Sequence, residues 1–313
     1  MFEIVSPNTK FDFIGWRRPA VMLSLLMVGA SLLLLFLRGP SLGIDFAGGS
    51  LVHVRFTSAK STDEVRTILS GSEFPTLDIQ EIAGAGHELM IRAPLSGEGD
   101  DHMSQKVVTK LKESFGEGQV DILRIETVGP RVGTALREQA IQAILLATLM
   151  MGVYIWIRFE WRFGLGTGVA ILHDVLIVSG LLVAFGYEFD LNIIASLLTL
   201  VGFSVNDKVV VSDRIRETRR RDRRSPLAQV INTSINETLS RTILTNGTAF
   251  LAVLSLYLLG GSVLHGFAFA LVAGSIIGTY SSIYIASTIV LFFERDKPVA
   301  ARERPKAAAA KSR

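Results

Sequence analysis

Apolar positions along this chain gather into six long runs: Ala20–Leu37, Ala140–Ile157, Gly164–Phe185, Leu191–Ser212, Thr242–Leu259 and Phe267–Phe293. Each is near the roughly 20 residues that a helix needs to cross a bilayer. The pattern divides the chain into an N-terminal stretch (1–19), a first span (20–37), a polar interval (38–139), five further spans (140–293) and a tail (294–313). The first run is not read as a cleaved leader. Its apolar core exceeds the roughly 7–15 residues of a signal-peptide core, and no A-x-A site follows it. Arg17-Arg18 before it marks a cytoplasmic flank rather than a twin-arginine signal.

The polar interval changes period. "SLVHVRFT" alternates as a strand. "STDEVRTILSG" opens on a Ser/Thr cap, carries acids in its first turn and ends at Gly71, which predicts a helix. "TLDIQEIA" and "HELMIRAP" read as strands joined by a Gly84-Ala85-Gly86 hairpin. "DHMSQKVVTKLKESFG" places Val107, Leu111 and Phe115 on one helical stripe, and "VDILRIETV" is a last strand. The order βαββαβ predicts one α+β domain of ferredoxin-like type between helices 1 and 2. It holds neither a metal-spaced His/Asp/Glu group nor a Gly-x-Ser-x-Gly, so it reads as a binding or docking module and the chain as no enzyme. The C-terminal tail, basic and alanine-rich, reads as a solvated, disordered end.

Composition agrees. Of 313 residues 49% are apolar and only 19% charged, against about 25% charged in soluble proteins; mean hydropathy is +0.41. There is no cysteine, which excludes disulfides, thiolate metal sites and cysteine nucleophiles. The basic balance does not point to nucleic acid, because the cations border the apolar runs. Lys10, Arg17 and Arg18 precede the first, Arg158 and Arg162 separate the second and third, and seven arginines lie within Arg214–Arg224. Gly186–Asp190 and Gly260–Gly266 carry no Lys or Arg. Both termini are therefore expected in the cytoplasm, and residues 38–139 outside. Trp16, Trp156 and Trp161 fall at the same inner boundary, as an aromatic belt would.

Candidate chemistry lies in the polar residues inside the apolar runs. A charge at the centre of a spanning helix costs about 2.5–3.5 kcal/mol, so such residues face the bundle and tend to be functional. Asp207 stands roughly two turns inside the cytoplasmic end of the fourth span at ~1.5 Å per residue, with Asn206 and Lys208 beside it and Ser204 a turn earlier. Arg241 opens the fifth span, on a stripe with Thr245 and Thr248 and with Asn246 alongside. Lys208 can snorkel to the inner headgroups. Asp213 and Arg214 can pair at the interface. His173-Asp174, midway along the third span, fit a proton relay or a structural hydrogen-bonded pair; with no second histidine at i+3 or i+4, no metal site is implied. Ala270, Gly274, Gly278 and Ser282 form a small-residue seam that suits packing within the bundle or against a partner subunit. "GIDFAGG" suggests a loop or hinge at the entrance to the domain.

Four stretches occur in order and at matching spacing: "FDFIGWRRPA", "GIDFAGGSLVHVRF", "VGPRVGTALREQA" and "GFSVNDKVVVSDRIRE", followed by "NETLSRTILTNGTA". Together they resemble the bacterial SecF family of the resistance–nodulation–division superfamily. The resemblance implies a multi-pass protein of the bacterial cytoplasmic membrane that acts with SecD beside the SecYEG channel, with YajC as a further candidate partner. It implies proton-driven help to unfolded secreted polypeptide at a late stage of export. Protons are then the coupling ion, and no other cofactor or nucleic-acid partner is expected. Asp207 is implied as the proton carrier and Arg241 as its ion-pair partner: burial favours the neutral acid and a nearby cation the carboxylate. One position departs from the family pattern, which commonly has a small residue such as Thr or Ser where Lys208 stands. A lysine there is expected to alter the proton affinity of Asp207. Two other readings remain: half of a small-molecule exporter of the same superfamily, and a non-transporting scaffold in which Asp207 is dispensable.

Overall fold

The computed structural model describes residues 9–70, 77–81, 87–93 and 103–293. Gly71, the Gly84-Ala85-Gly86 turn and the 294–313 tail lie outside these residues. In chain order the elements are α1 (Arg17–Leu37), β1 (Ser41–Leu42), α2 (Ile44–Ala47), β2 (Gly49–Phe56), α3 (Thr62–Leu69), β3 (Asp78–Glu81), β4 (Glu88–Ala93), α4 (Met103–Phe115), β5 (Val120–Val128), α5 (Pro130–Arg158), α6 (Trp161–Ala184), β6 (Glu188–Phe189), α7 (Leu191–Arg221), α8 (Leu227–Leu259), α9 (Gly261–Ser281), a π-helical turn (Ser282–Ala286) and α10 (Ser287–Phe293).

Six helical segments are long and apolar enough to cross a membrane: α1, α5, α6, α7, α8 and the α9–α10 stretch. α6 is the central one, with His173, Asp174, Ile177 and Val178 all buried. α1, α5 and α8 turn large apolar side chains outward, among them Leu25, Phe36, Leu149, Ile157, Leu251 and Leu259. That distribution is expected where the surrounding medium is hydrocarbon, since lipid is as apolar as leucine. Close backbone approach rests on small residues. A methyl at Gly164 would lie 2.7 Å from Trp156 Cβ and 2.8 Å from Gly152 O, locking the α5–α6 turn. The seam on α9 packs inside the bundle rather than against a partner: Gly274 abuts Leu200, Gly278 abuts Ser204, and Ala270 and Ser282 are fully buried.

α7 and α8 extend past the apolar runs as a helical hairpin, because the polar stretch from Asp213 to Arg241 keeps helical periodicity on its inner face. Ile215, Leu227, Val230, Ile231 and Ile235 form that face. An N-terminal strap lies across it. Asn232 Oδ1 accepts from the backbone N–H of Phe13 (2.9 Å), and Asn236 Oδ1 accepts from that of Phe11 (2.9 Å); both amides donate to Phe11 O.

The polar interval folds as an antiparallel sheet in the order β3-β4-β2-β5, with α3 and α4 packed on one face. Val52, Val54, Phe56, Val65, Leu69, Ile91, Val107 and Leu111 make its core, and each buried side chain of this size contributes about 1.5–3 kcal/mol. The cap expected for α3 is present: Ser61 Oγ accepts from Glu64 N–H at 3.1 Å. "GIDFAGG" is not a loose loop. It forms α2, and Gly48 and Gly49 then turn with φ of 75° and 137° into β2. β1 pairs in parallel with β6, tying the entrance of the domain to the α6–α7 connection.

Candidate functional site in the helical bundle

Asp207 is buried at 3% exposure on α7. Its Oδ2 accepts a hydrogen bond from Asn246 Nδ2 on α8. Asn246 also donates to Thr279 Oγ1 on α9 (2.6 Å), which in turn donates to Ser275 O (2.8 Å). Thr242, one turn before Asn246, is buried on the same face. The carboxyl therefore sits among α7, α8 and α9 with neutral hydrogen-bond partners.

A second centre lies on the adjoining face of α7. Asp174 on α6 is completely buried. Its Oδ2 accepts from Lys208 Nζ (2.9 Å), Ser204 Oγ (2.5 Å) and Ser281 Oγ (2.8 Å), and His173 Nδ1 stands 2.9 Å from its Oδ1. The His173 ring stacks on Tyr280, with centroids 6.4 Å apart. Tyr280 Oη donates to Ala20 O at 2.5 Å, anchoring α1. Thr279 and Ser281, two residues apart on α9, thus serve one centre each.

Several positions read from sequence find other surroundings. Lys208 neither snorkels nor turns to Asp207. It is 1% exposed and points with Ser204, one turn away, toward α6; a neighbour in sequence is rotated by about 100° on a helix. Arg241 makes no ion pair with Asp207. The inward stripe of α8 is Leu239, Thr242 and Asn246, while Arg241, Thr245 and Thr248 face outward. Asn206 and Asp213 are exposed as well. Arg214 does not pair with Asp213 but bridges Glu217 and Glu237, both at 2.6 Å. Sequence reasoning missed Thr279, Ser281 and the Asn232/Asn236 strap contacts. The recurrence of Ser275, Thr279 and Ser282 at helical spacing in an apolar run was the available signal for the first group.

Among the described residues no group of three or more His, Cys, Asp or Glu is placed to hold a metal.

Comparison with known proteins accounts for both halves of the chain. Residues 107–296 match the family described as "Protein export membrane protein SecD/SecF, C-terminal", and residues 33–60 match the "SecD/SecF GG Motif". The protein translocase subunit SecF of Desulfurispirillum indicum is 42% identical over 288 residues, 90% of this chain and 91% of the relative. That of Escherichia coli O157:H7 is 39% identical, over 90% and 87%. Among solved structures, SecDF, a translocon-associated membrane protein from Thermus thermophilus, superposes with a TM-score of 0.82 at 36% identity. The match covers 91% of this chain and 39% of that one. This chain thus spans well under half of the solved SecDF polypeptide. With six apolar helices, the sequence motifs in order and relatives matched over nearly their whole length, the chain belongs to the SecF family, multi-pass membrane proteins of Sec-pathway protein export.

Proposed function

We propose that the chain is a proton-coupled accessory subunit of the Sec translocase that acts with a SecD partner to promote late-stage export across the cytoplasmic membrane. The observation that carries this reading is Asp207: an acid buried in a spanning bundle and held by Asn246, with no cation among the described residues bonded to it. A carboxyl in such a niche can be carried protonated, and an approaching cation selects the carboxylate. Arg241 is the cation assigned to that step. It faces outward on α8, so its approach to Asp207 requires a rearrangement of α8 or of the partner face that covers it. Moving one charge through 100 mV is worth about 2.3 kcal/mol, similar to the cost of holding the charge in the bilayer core.

The partner reading draws on the solved SecDF chain, of which this one matches 39%, and on the outward polar stripe Arg241, Thr245 and Thr248. Such a stripe is costly against lipid and needs a protein face over it. The βαββαβ sheet, in the order β3-β4-β2-β5, is assigned as a ferredoxin-like domain on the outer side that contacts emerging polypeptide near SecYEG. The basic α7–α8 hairpin faces the cytoplasm under this assignment.

The test is export into inverted vesicles holding the chain with its partner, under an imposed proton gradient. Asp207→Asn is expected to abolish the response to the gradient while the complex still assembles. A parent-like response overturns the carrier role and favours a scaffold.

A further inference from the structure

The "GIDFAGG" segment has no part in the proton chemistry above, yet it touches three bodies at once. Its first contact is the outer end of α7, the helix that carries Asp207. Asp45 Oδ2 accepts from Leu191 N–H at 2.9 Å, and Asp190 Oδ1 accepts from Ile193 N–H at 2.8 Å. Two first-turn donors that lack helical partners are thus satisfied, one of them from a distant segment. Gly43 N–H donates to Phe189 O (2.8 Å), beside the parallel register Ser41↔Glu188 and Leu42↔Phe189.

The second contact is the start of α5. A Cβ at Gly133 would lie 3.1 Å from both Gly48 N and Phe46 O, so the α2 turn is seated directly on that helix. The third is the external sheet. A Cβ at Gly49 would lie 3.0 Å from Ala93 O on β4, and the chain runs on into β2 without a spacer. Arg92 on β4 closes the arrangement through an ion pair with Glu188. Ile44 and Phe46 are buried. Nothing in this geometry is a free joint.

We propose that Asp45 is a positioning residue that couples the external sheet to α7. The segment from Ser41 to Gly49 acts as a clasp that stays closed, so a shift of the sheet is passed to the helix holding Asp207. Leu191 and Asp207 are 16 positions apart on one continuous helix, about 24 Å at ~1.5 Å per residue. The inference rests on the carrier reading of Asp207, because a signal along α7 matters only if that residue responds.

The experiment uses the full chain with its partner in vesicles and reads gradient-driven export and proton flux separately. Asp45→Ala is expected to lower export by about tenfold, the scale of a lost helix cap, while proton flux continues. Asp45→Asn keeps an acceptor for Leu191 N–H and is expected to restore export. In the Asp45→Ala background, the pair Ser41→Cys/Glu188→Cys replaces the clasp covalently in a chain that has no other cysteine, and the same reduced pair with Asp45 kept sets the baseline for losing the Arg92–Glu188 ion pair. Export is expected to return on oxidation and to fall again on reduction. Parent-like export by Asp45→Ala, or no rescue by the disulfide or by Asn, overturns the clasp. Asp207→Asn run in parallel separates the two readings: if it keeps its flux and gradient response, the carrier fails independently of what Asp45 does.

Discussion

Lys208 Nζ lies 2.9 Å from Asp174 Oδ2, and both side chains are sealed from solvent. This pair joins α6 to α7, and Ser281 brings in α9. Removing one partner of a buried pair strands the other charge, at a cost of about 3–5 kcal/mol, whereas replacing both by neutral groups is often tolerated. Lys208→Met and Asp174→Asn are each expected to destabilise the bundle by that order. The double variant is expected to recover most of the loss. Thermal unfolding of the full chain in mild detergent checks this; additive losses in the double variant would show that the pair is not the unit. Lys208→Thr belongs with the single variants because it takes from Asp174 its lysine partner.

Asp207 and Arg241 are expected to separate stability from transport. Asp207→Asn conserves shape and can still meet Asn246, so it is expected to melt near the parent and to lose gradient-driven export. Arg241 is exposed and bonds to no other described residue in the chain. Arg241→Met is therefore expected to change stability by no more than about 0.5 kcal/mol, with export lost to a similar degree as in Asp207→Asn. Asn246→Leu removes the partner of a buried carboxyl and is expected to reduce both, by about 1–3 kcal/mol in stability. Melting curves and export assays on the same preparations decide it. A large fall in melting temperature for Arg241→Met would place that residue in the fold of this chain.

The spans and the strand and helix order of the polar interval were legible because each follows from a single period along the chain. Val107 and Leu111 lie on the inner stripe of α4, and the Ser61 cap is local in sequence. Asp207 was legible as a buried acid because a charge in an apolar run has few other reasons to be there. What could not be read was pairing between helices. Whether Lys208 reaches Asp174 or Asp207 depends on which face of α7 meets α6, a matter of a 100° rotation that an all-round apolar helix does not reveal. The same rotation decides that Asn246 rather than Arg241 looks inward. The α2 clasp was missed because its four helical residues are too few to show a period, and its partners Leu191 and Phe189 lie far along the chain.

The strap offers a test on the α7–α8 hairpin. Asn232 and Asn236 hold Phe11, Phe13 and Ile14 through backbone bonds, and Ile14 is buried in the main core. Each asparagine contributes several bonds of about 0.5–1.5 kcal/mol net. Asn236→Ala is expected to lower stability by about 1–3 kcal/mol and to speed proteolysis near residues 9–14 under native conditions. An unchanged cleavage rate would mean that the apolar anchors alone seat the strap.

The four-stranded sheet carries its own pH dependence through Glu88. Its side chain is buried between β2 and β4, with Oε1 accepting from Arg55 (Nη2 at 2.6 Å, Nε at 3.0 Å) and Oε2 2.9 Å from His53 Nε2. Burial pushes the carboxyl upward, but the bonds from Arg55 and His53 outweigh it and hold it below its ordinary value of 4.5. An acid lowered on folding adds stability that is fully present above its unfolded value and is lost as pH falls through the folded one. Glu88→Gln is therefore expected to weaken the domain by about 1–3 kcal/mol between pH 6 and 8. The difference is expected to narrow as pH falls below 4.5, where the unfolded chain takes up its proton first and the folded carboxyl, held lower, follows at more acid pH. Thermal unfolding of both chains from pH 4 to 8 measures the gap. If it stays constant down to pH 4, the stabilisation comes from shape and neutral hydrogen bonds, and the charge of Glu88 contributes nothing.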